Sequence, residues 1–208
     1  MVSRFSGTVG PTASDPRGER ANESMNTRIS LISHATTAAL RSARFADDEP
    51  LDEVGVAKAR GASMPVADHV ISSPARAARD TAKSAGMVDV AEPLLKDCSY
   101  GRWTGMRFED VATEEPDAVA QWMTDPNSAP HGGETLMDLQ VRAVSWLDRV
   151  EGGHTLAITH ASIIRAAVLH VLDAPFEAFW RVDIAPLTFT DLRKDRGRWL
   201  LRATGVPL

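Results

Sequence analysis

Two short apolar runs, each ending in a histidine, constrain this chain more than any other feature. Arg28-Ile29-Ser30-Leu31-Ile32-Ser33 leads straight into His34, and His154-Thr155-Leu156-Ala157-Ile158-Thr159 leads straight into His160. Runs of this length and aliphatic content read as buried strands. After His160 the apolar positions Ile163, Ile164, Ala167, Val168 and Val171 mark a helix. His69-Val70-Ile71-Ser72 reads as another strand. Ser73-Pro74 then starts a helix, with Ser73 at the N-cap, Pro74 in the first helical position and Gly86 at its end.

The alternation continues along the chain. Asp48-Glu49-Pro50-Leu51-Asp52 opens a helix that reaches about Ala59, with Gly61 as its stop. Glu92 to Gly133 is irregular, interrupted by Pro93, Pro116, Pro126 and Pro130, with room for two short helices. Thr135 caps a longer helix whose positions Leu136, Leu139, Ala143, Val144, Leu147 and Val150 keep the helical period, and Gly152-Gly153 end it. Two further strands are expected near Ile184 to Thr190 and Trp199 to Ala203. Strands alternating with helices predict an α/β fold, a three-layer α/β/α sandwich over a mostly parallel central sheet. In open sheets of this kind ligands sit beyond the carboxyl ends of the strands. His34 and His160 both fall at that edge.

Composition narrows the possibilities further. A chain of 208 residues suits one sizeable domain. Residues 1–24 are rich in Ser, Gly, Thr, Pro and charge, so a flexible tail is expected there, with Met25 as the natural start and the domain at 25–208. That segment lacks the apolar core of a secretory signal, and Asp15, Glu19 and Glu23 argue against a transit peptide. Lys plus Arg total 23 against 28 Asp plus Glu, a net charge of −5, which argues against a general nucleic-acid or anionic-membrane binder. The most apolar long stretch, Ala157 to Leu172, is broken by His160, Arg165 and His170, so no membrane span is expected. The single cysteine, Cys98, excludes an internal disulfide and a cysteine-built zinc site and accords with a reducing, cytoplasmic setting.

A neutral imidazole nitrogen can attack phosphorus and hold it as a phosphoenzyme, dividing one hard displacement into two easier ones. The same chemistry needs cations around the phosphoryl oxygens and an acid for the leaving oxygen. Strand-end histidines can equally be tied to nearby backbone. The pair alone leaves both readings open.

Six blocks in order carry a resemblance. Ser33-His34-Ala35-Thr36-Thr37 follows the first strand, where one known family has Arg-His-Gly. Asp48-Glu49-Pro50-Leu51-Asp52-Glu53-Val54-Gly55 resembles its Asp-x-Pro-Leu-Thr-x-x-Gly. Ser73-Pro74-Ala75-Arg76-Ala77-Ala78-Arg79-Asp80-Thr81-Ala82 resembles Ser-Pro-x-x-Arg-x-x-x-Thr-Ala. Leu95 to Gly105 is similar to Leu-x-Glu-x-x-x-Gly-x-Trp-x-Gly, and Pro130-His131-Gly132-Gly133-Glu134-Thr135 to Pro-x-Gly-Gly-Glu-Ser/Thr. Thr159-His160-Ala161-Ser162-Ile163-Ile164-Arg165 resembles the second histidine motif. Together they resemble the histidine phosphatase superfamily, the phosphoglycerate-mutase-like proteins. The resemblance implies that His34 is the nucleophile, that His160 polarises the transferring oxygens and that Asp97 protonates the leaving group. It implies a phosphatase acting on a phosphorylated small molecule without cofactor or metal, with a mutase-like phosphotransferase as the alternative.

Three positions depart from the pattern. Ser33 and Ala77 stand where the family has arginines, and Asp97 stands for the usual Glu. Losing one preorganised donor costs about 10²–10³ in rate, so a weakened phosphate-binding or regulatory domain is a further alternative. Arg41, Arg44 and Arg76 are the candidates to supply the missing charge, with Ala161 beside His160 as a further substrate contact. Arg79 reads as a surface residue, Arg165 as one that backs the site residues or is structural, and Glu134 as an acid favouring a helix start. Cys98 lacks the Cys-x5-Arg phosphate loop, since position 104 is Thr, and reads as a small buried hydrophobe. No Gly-x4-Gly-Lys loop is present, and His131, His154 and His160 lack metal-ligand spacing. The tryptophans read as packing residues, with Trp103 and Trp122 in the insert that in the family often walls the substrate pocket.

Overall fold

Ile29, Leu31 and Ile32 are fully buried because the run that carries them becomes β1 (Arg28–Ser33), an interior strand covered on both faces. The computed structural model describes residues 27–208; the expectations of a tail over 1–24 and a start at Met25 lie outside the described residues. β1 pairs in parallel with β4 (His154–Thr159), which pairs in parallel with β2 (His69–Ser72), itself parallel to the two-residue β3 (Val90–Ala91). On the other side β1 pairs antiparallel with β5 (Thr188–Asp195), and β5 with β6 (Arg198–Pro207). The sheet order is β3-β2-β4-β1-β5-β6, so four strands are parallel and the last two form an antiparallel hairpin.

Side chains alternate between the faces of a strand, and the core divides accordingly. Ile29, Leu31 and Ala157 pack with α6 (Leu136–Arg149), α7 (Ala161–Val171) and the aromatic insert. Ile32, Leu156 and Ile158 pack against Ala78 and Ala82 of α3 (Arg76–Ser84), with α2 (Glu53–Gly61) alongside. The result is the α/β/α sandwich that the alternation predicts. Three smaller helices complete it: α1 (Ala38–Arg41), α4 (Phe108–Glu114) and α5 (Pro116–Thr124), the last two within the irregular insert. Among the described residues no helix is long and apolar enough to cross a membrane.

Local chemistry sets the boundaries. Asp52 caps α2 by accepting from the Gly55 amide at 2.6 Å, and Thr135 caps α6 by accepting from the Asp138 amide at 3.0 Å. The helix after β2 starts two residues later than Ser73-Pro74 suggests: Ala75 is its N-cap and no side chain caps it. Of the last two strands, β6 covers the expected Trp199 to Ala203 and runs on to Pro207, whereas β5 lies further along than expected. Leu187 turns with φ of +53° just after Pro186, and β5 begins only beyond that turn. Arg196 and Gly197, both at positive φ, close the β5–β6 hairpin.

Candidate active site

The register that pairs Ser33 with Thr159 brings the next residue of each strand out at the same edge. His34 and His160 therefore stand ring to ring, with centroids 5.0 Å apart. The His34 amide donates to Thr159 O at 2.9 Å, and the Ala35 amide to Thr81 Oγ1 at 3.0 Å, which fixes the turn. His34 Nδ1 lies 2.8 Å from Ala35 O. A carbonyl only accepts, so the ring proton sits on Nδ1 and Nε2 keeps its lone pair.

His160 has the opposite arrangement. Its Nε2 is 2.8 Å from Ser73 Oγ. Ser73 is fully buried and accepts from the Ala75 amide, and among the described residues its own proton has no acceptor besides Nε2. The His160 proton accordingly sits on Nδ1, a buried donor with no hydrogen-bond partner, 3.7 Å from Asp97 Oδ2. Burial brings the His160 pKa down to about 4, against the pull of the Asp97 carboxylate and with help from His34. This imidazole donates as a neutral N–H.

Asp97 is held by atom as well as by residue. Ser162 Oγ donates to its Oδ1 at 2.5 Å and the Cys98 amide donates to the same oxygen at 2.8 Å, leaving Oδ2 towards His160. Arg142 clamps the backbone around it, bonding the carbonyls of Leu94, Lys96 and Asp97 while pairing with Glu134 at 2.7 Å. Glu134 is thus the anchor of that clamp, a more specific role than a helix-start acid.

A cavity of about 410 Å³ opens over this group, lined by His34, Glu49, Ala77, Lys96, Asp97 and His160 among others. A second, of about 250 Å³, shares His34, Glu49, Asp97 and His160 and continues between Arg44, Arg165, Trp122 and Trp180. Burial would raise the Glu49 carboxyl, but bonds from the Asp47 amide and Thr37 Oγ1, with His34 nearby, hold it below its ordinary value. Burial raises the Cys98 thiol far above its ordinary range, which keeps it protonated.

The residues singled out from the sequence divide. His34, His160 and Asp97 meet at the cavities, and Arg44 and Ala161 line the second. Arg41 and Arg76 do not line either. Arg41 pairs with Asp52 at 2.5 Å, and Arg76 lies 3.7 Å from Asp80 and is largely exposed. Trp122 walls the second cavity, whereas Trp103 is fully buried in the core. Glu49, Lys96, Ser162 and Arg142 gave no functional signal in the sequence. Ser73 did, as a serine before proline, but its hydroxyl serves His160 rather than a helix end. Arg165, read as backing the site or structural, itself lines the second cavity.

An open sheet covered on both faces, with two imidazoles and a carboxylic acid at its carboxyl edge, defines a histidine-centred site. The chain belongs to the histidine phosphatase superfamily (branch 1), whose family model matches residues 29–206. The bifunctional protein Rv2228c of Mycobacterium tuberculosis is 27% identical over 205 residues, covering 90% of this chain and 56% of the relative. The chain therefore spans about half the length of that relative. The metal-independent phosphoserine phosphatase of Arabidopsis thaliana is 29% identical over 172 residues, 73% of this chain and 71% of the relative. Among solved structures, the alpha-ribazole phosphatase of Shigella flexneri superposes with a TM-score of 0.74 at 18% identity, over 87% of this chain and 98% of that one, and shares the fold.

Proposed function

We propose that the chain is a phosphomonoesterase that works through a phosphohistidine at His34 on a phosphorylated small molecule. The observation that carries this is the His34 tautomer: with Nδ1 tied to Ala35 O, Nε2 is the free nucleophile at the cavity floor. In the first step Nε2 attacks phosphorus, the N–P bond forms and the P–O bond breaks. A proton brought in by the phosphomonoester monoanion passes by way of Asp97 Oδ2 to the leaving oxygen. The His160 Nδ1–H, otherwise unpartnered, donates to a phosphoryl oxygen. In the second step water attacks phosphorus, Asp97 takes its proton, the N–P bond breaks and phosphate leaves. Curated relatives that carry the name phosphatase support hydrolysis over transfer to a second sugar acid.

The departures from the family pattern bear on the cations. Ser33, at the position read as the first arginine, donates to Ala185 O at 2.6 Å and accepts from the Thr188 amide, joining β1 to the turn before β5. Ala77, at the second, offers only a methyl group to the cavity wall. The charge at hand is that of Lys96, Arg44 and Arg165. A second reading, a phosphate-binding domain of reduced turnover, draws on Arg41 and Arg76 being paired with acids outside the lining. A cytoplasmic setting accords with the single buried thiol of Cys98.

The experiment is a panel of phosphomonoesters assayed with wild type and His34→Ala, with acid-labile, base-stable phosphate sought on the quenched protein. Expected are hydrolysis and an N–P adduct in wild type and a loss of about 10³-fold or more in His34→Ala. Equal rates in both proteins would refute the reading.

A further inference from the structure

Arg165 and Arg44 share one chamber, and neither has a carboxylate partner among the described residues. Each is fixed by a backbone carbonyl instead. Arg165 Nε donates to Val182 O at 2.8 Å, and Arg44 Nη1 donates to Gly105 O at 2.9 Å. A guanidinium carries five N–H donors, so most of those on each side chain have no acceptor among the described residues. The Arg165 guanidinium also lies over the rings of Phe179 and Trp180, 5.8 Å from each centroid, which holds its plane. It reaches the chamber from α7, the helix that begins directly after His160. Burial lowers the Arg165 pKa, as expected for a cation short of a counter-charge, although Tyr100, Asp183 and Asp97 oppose the effect.

The remaining walls combine aromatic rings with the aliphatic Leu40, Leu136 and Ile184 and the hydroxyls of Thr37 and Ser162. Tyr100, Trp122 and Trp180 face the same space, with the Trp122 and Trp180 rings 4.8 Å apart in a T-shaped arrangement. Of the chamber's acids, Glu49 is engaged at both oxygens and Asp97 at Oδ1 alone, with Oδ2 left towards His160. Glu49 accepts from Thr37 and the Asp47 amide, and Asp97 accepts from Ser162 and the Cys98 amide. These two carboxylates disfavour a second dianion so close to His34, but they tolerate a monoanion paired to a guanidinium.

We propose that this chamber is the leaving-group site and that it selects a flat, apolar leaving group ending in a carboxylate, which Arg165 binds with Arg44 beside it. The inference rests on His34 as the nucleophile, since the chamber meets the catalytic cavity at His34 and His160. Planar guanidinium and carboxylate match as two parallel hydrogen bonds. Aromatic walls favour a ring between that pair and the phosphoryl group.

The test compares two phosphomonoesters with matched phenol leaving groups, (4-phosphooxyphenyl)acetate and its neutral amide, on the full-length protein. Wild type is expected to favour the acid in kcat/KM by about tenfold or more, mainly through KM. Arg165→Gln is expected to bring the ratio near unity, and Arg165→Lys to fall between. A wild-type ratio near one, or a tenfold ratio that survives Arg165→Gln, overturns the proposal. If neither ester is cleaved faster than by His34→Ala, the phosphatase reading fails on its own account. The chamber is then judged by tryptophan fluorescence with phenylacetate and phenylacetamide. Tighter binding of the acid that is lost in Arg165→Gln supports the site, and equal affinities refute it. Should Arg165→Gln fail to fold, Arg44→Gln is read in the same way, with a reduced acid-to-amide ratio as support and an unchanged one as refutation.

Discussion

Burial keeps His160 uncharged in the fold at neutral pH, and that has a cost when the pH falls. Its pKa is about 4 in the fold and returns to the ordinary 6.5 on unfolding. Between those values the unfolded chain binds a proton that the native chain refuses, so stability is complete above about pH 6.5 and declines as pH falls towards 4. From pH 7 to pH 5 the loss from this group is about 2 kcal/mol. Burial also lowers His131 and His154, which adds loss of the same sign. The held-down carboxylates Glu49, Asp52 and Glu115 start from ordinary values of 4.5, 3.8 and 4.5 and so lose their contribution only below this window. Urea unfolding at pH 7 and pH 5 is therefore expected to show a smaller pH-dependent loss in His160→Gln than in wild type, by about 2 kcal/mol. An identical loss in both would mean that the native imidazole titrates freely. The residue was legible in the sequence as a strand-end histidine. Its tautomer was not, because Ser73 lies 87 positions away in the chain.

Among the elements, the tightest junction is the meeting of the segment after Asp97 with the turn before α6. The Glu134 amide donates to Ser99 O at 2.8 Å and the Arg102 amide to His131 O at 3.0 Å, so the two backbones lie in contact. A Cβ on Gly133 would fall 1.9 Å from Ser99 O, and one on Gly101, at φ +49°, would fall 2.2 Å from His131 O. Gly133→Ala must push the segment that carries Asp97 away. It is expected to cost about 1–3 kcal/mol, lowering Tm by about 2–4 °C per kcal/mol, and to reduce kcat through the displaced acid. Gly61, the last residue of α2, has nothing within 4 Å of its Cβ position, so Gly61→Ala is expected to leave Tm unchanged or slightly raised. Thermal unfolding of the two variants separates crowding from chain entropy; equal shifts would deny the close contact. The same contrast explains what the sequence could tell. β1, β2, β4 and the capped helices α2 and α6 follow from periodicity and caps within a few residues. The Gly101–Gly133 contact, the Arg142 clamp and the two-residue β3 depend on partners distant in sequence. β5 was misplaced because its later residues Arg193, Lys194 and Asp195 are polar and conceal the strand's end, while apolar Ile184 precedes Pro186 and the turn at Leu187.

At the scale of the whole molecule, the local and long-range fields oppose each other. Residues 1–26 carry three basic and three acidic side chains, so the net charge of −5 belongs to the described residues. Asp48, Glu49 and Asp97 add negative charge at the main cavity, where Lys96 is the one cation among the described lining residues. An anionic phosphomonoester approaching from solution therefore meets repulsion first and the cations Lys96, Arg44 and Arg165 only at close range. Repulsion between exposed charges is screened by salt, with a Debye length of about 30 Å at 0.01 M and about 8 Å at 0.15 M. Contacts inside the chamber, where Arg165 is partly buried against Phe179 and Trp180, are screened much less. Raising sodium chloride from 0.01 M to 0.15 M is thus expected to increase kcat/KM for an anionic ester by about two- to fivefold while leaving kcat nearly constant. Proteins that steer anions with a basic field show the opposite slope. A fall in kcat/KM across this range would mean that the cations at the cavity outweigh the molecule's net charge even at long range, and the positive slope expected here would then be wrong in sign.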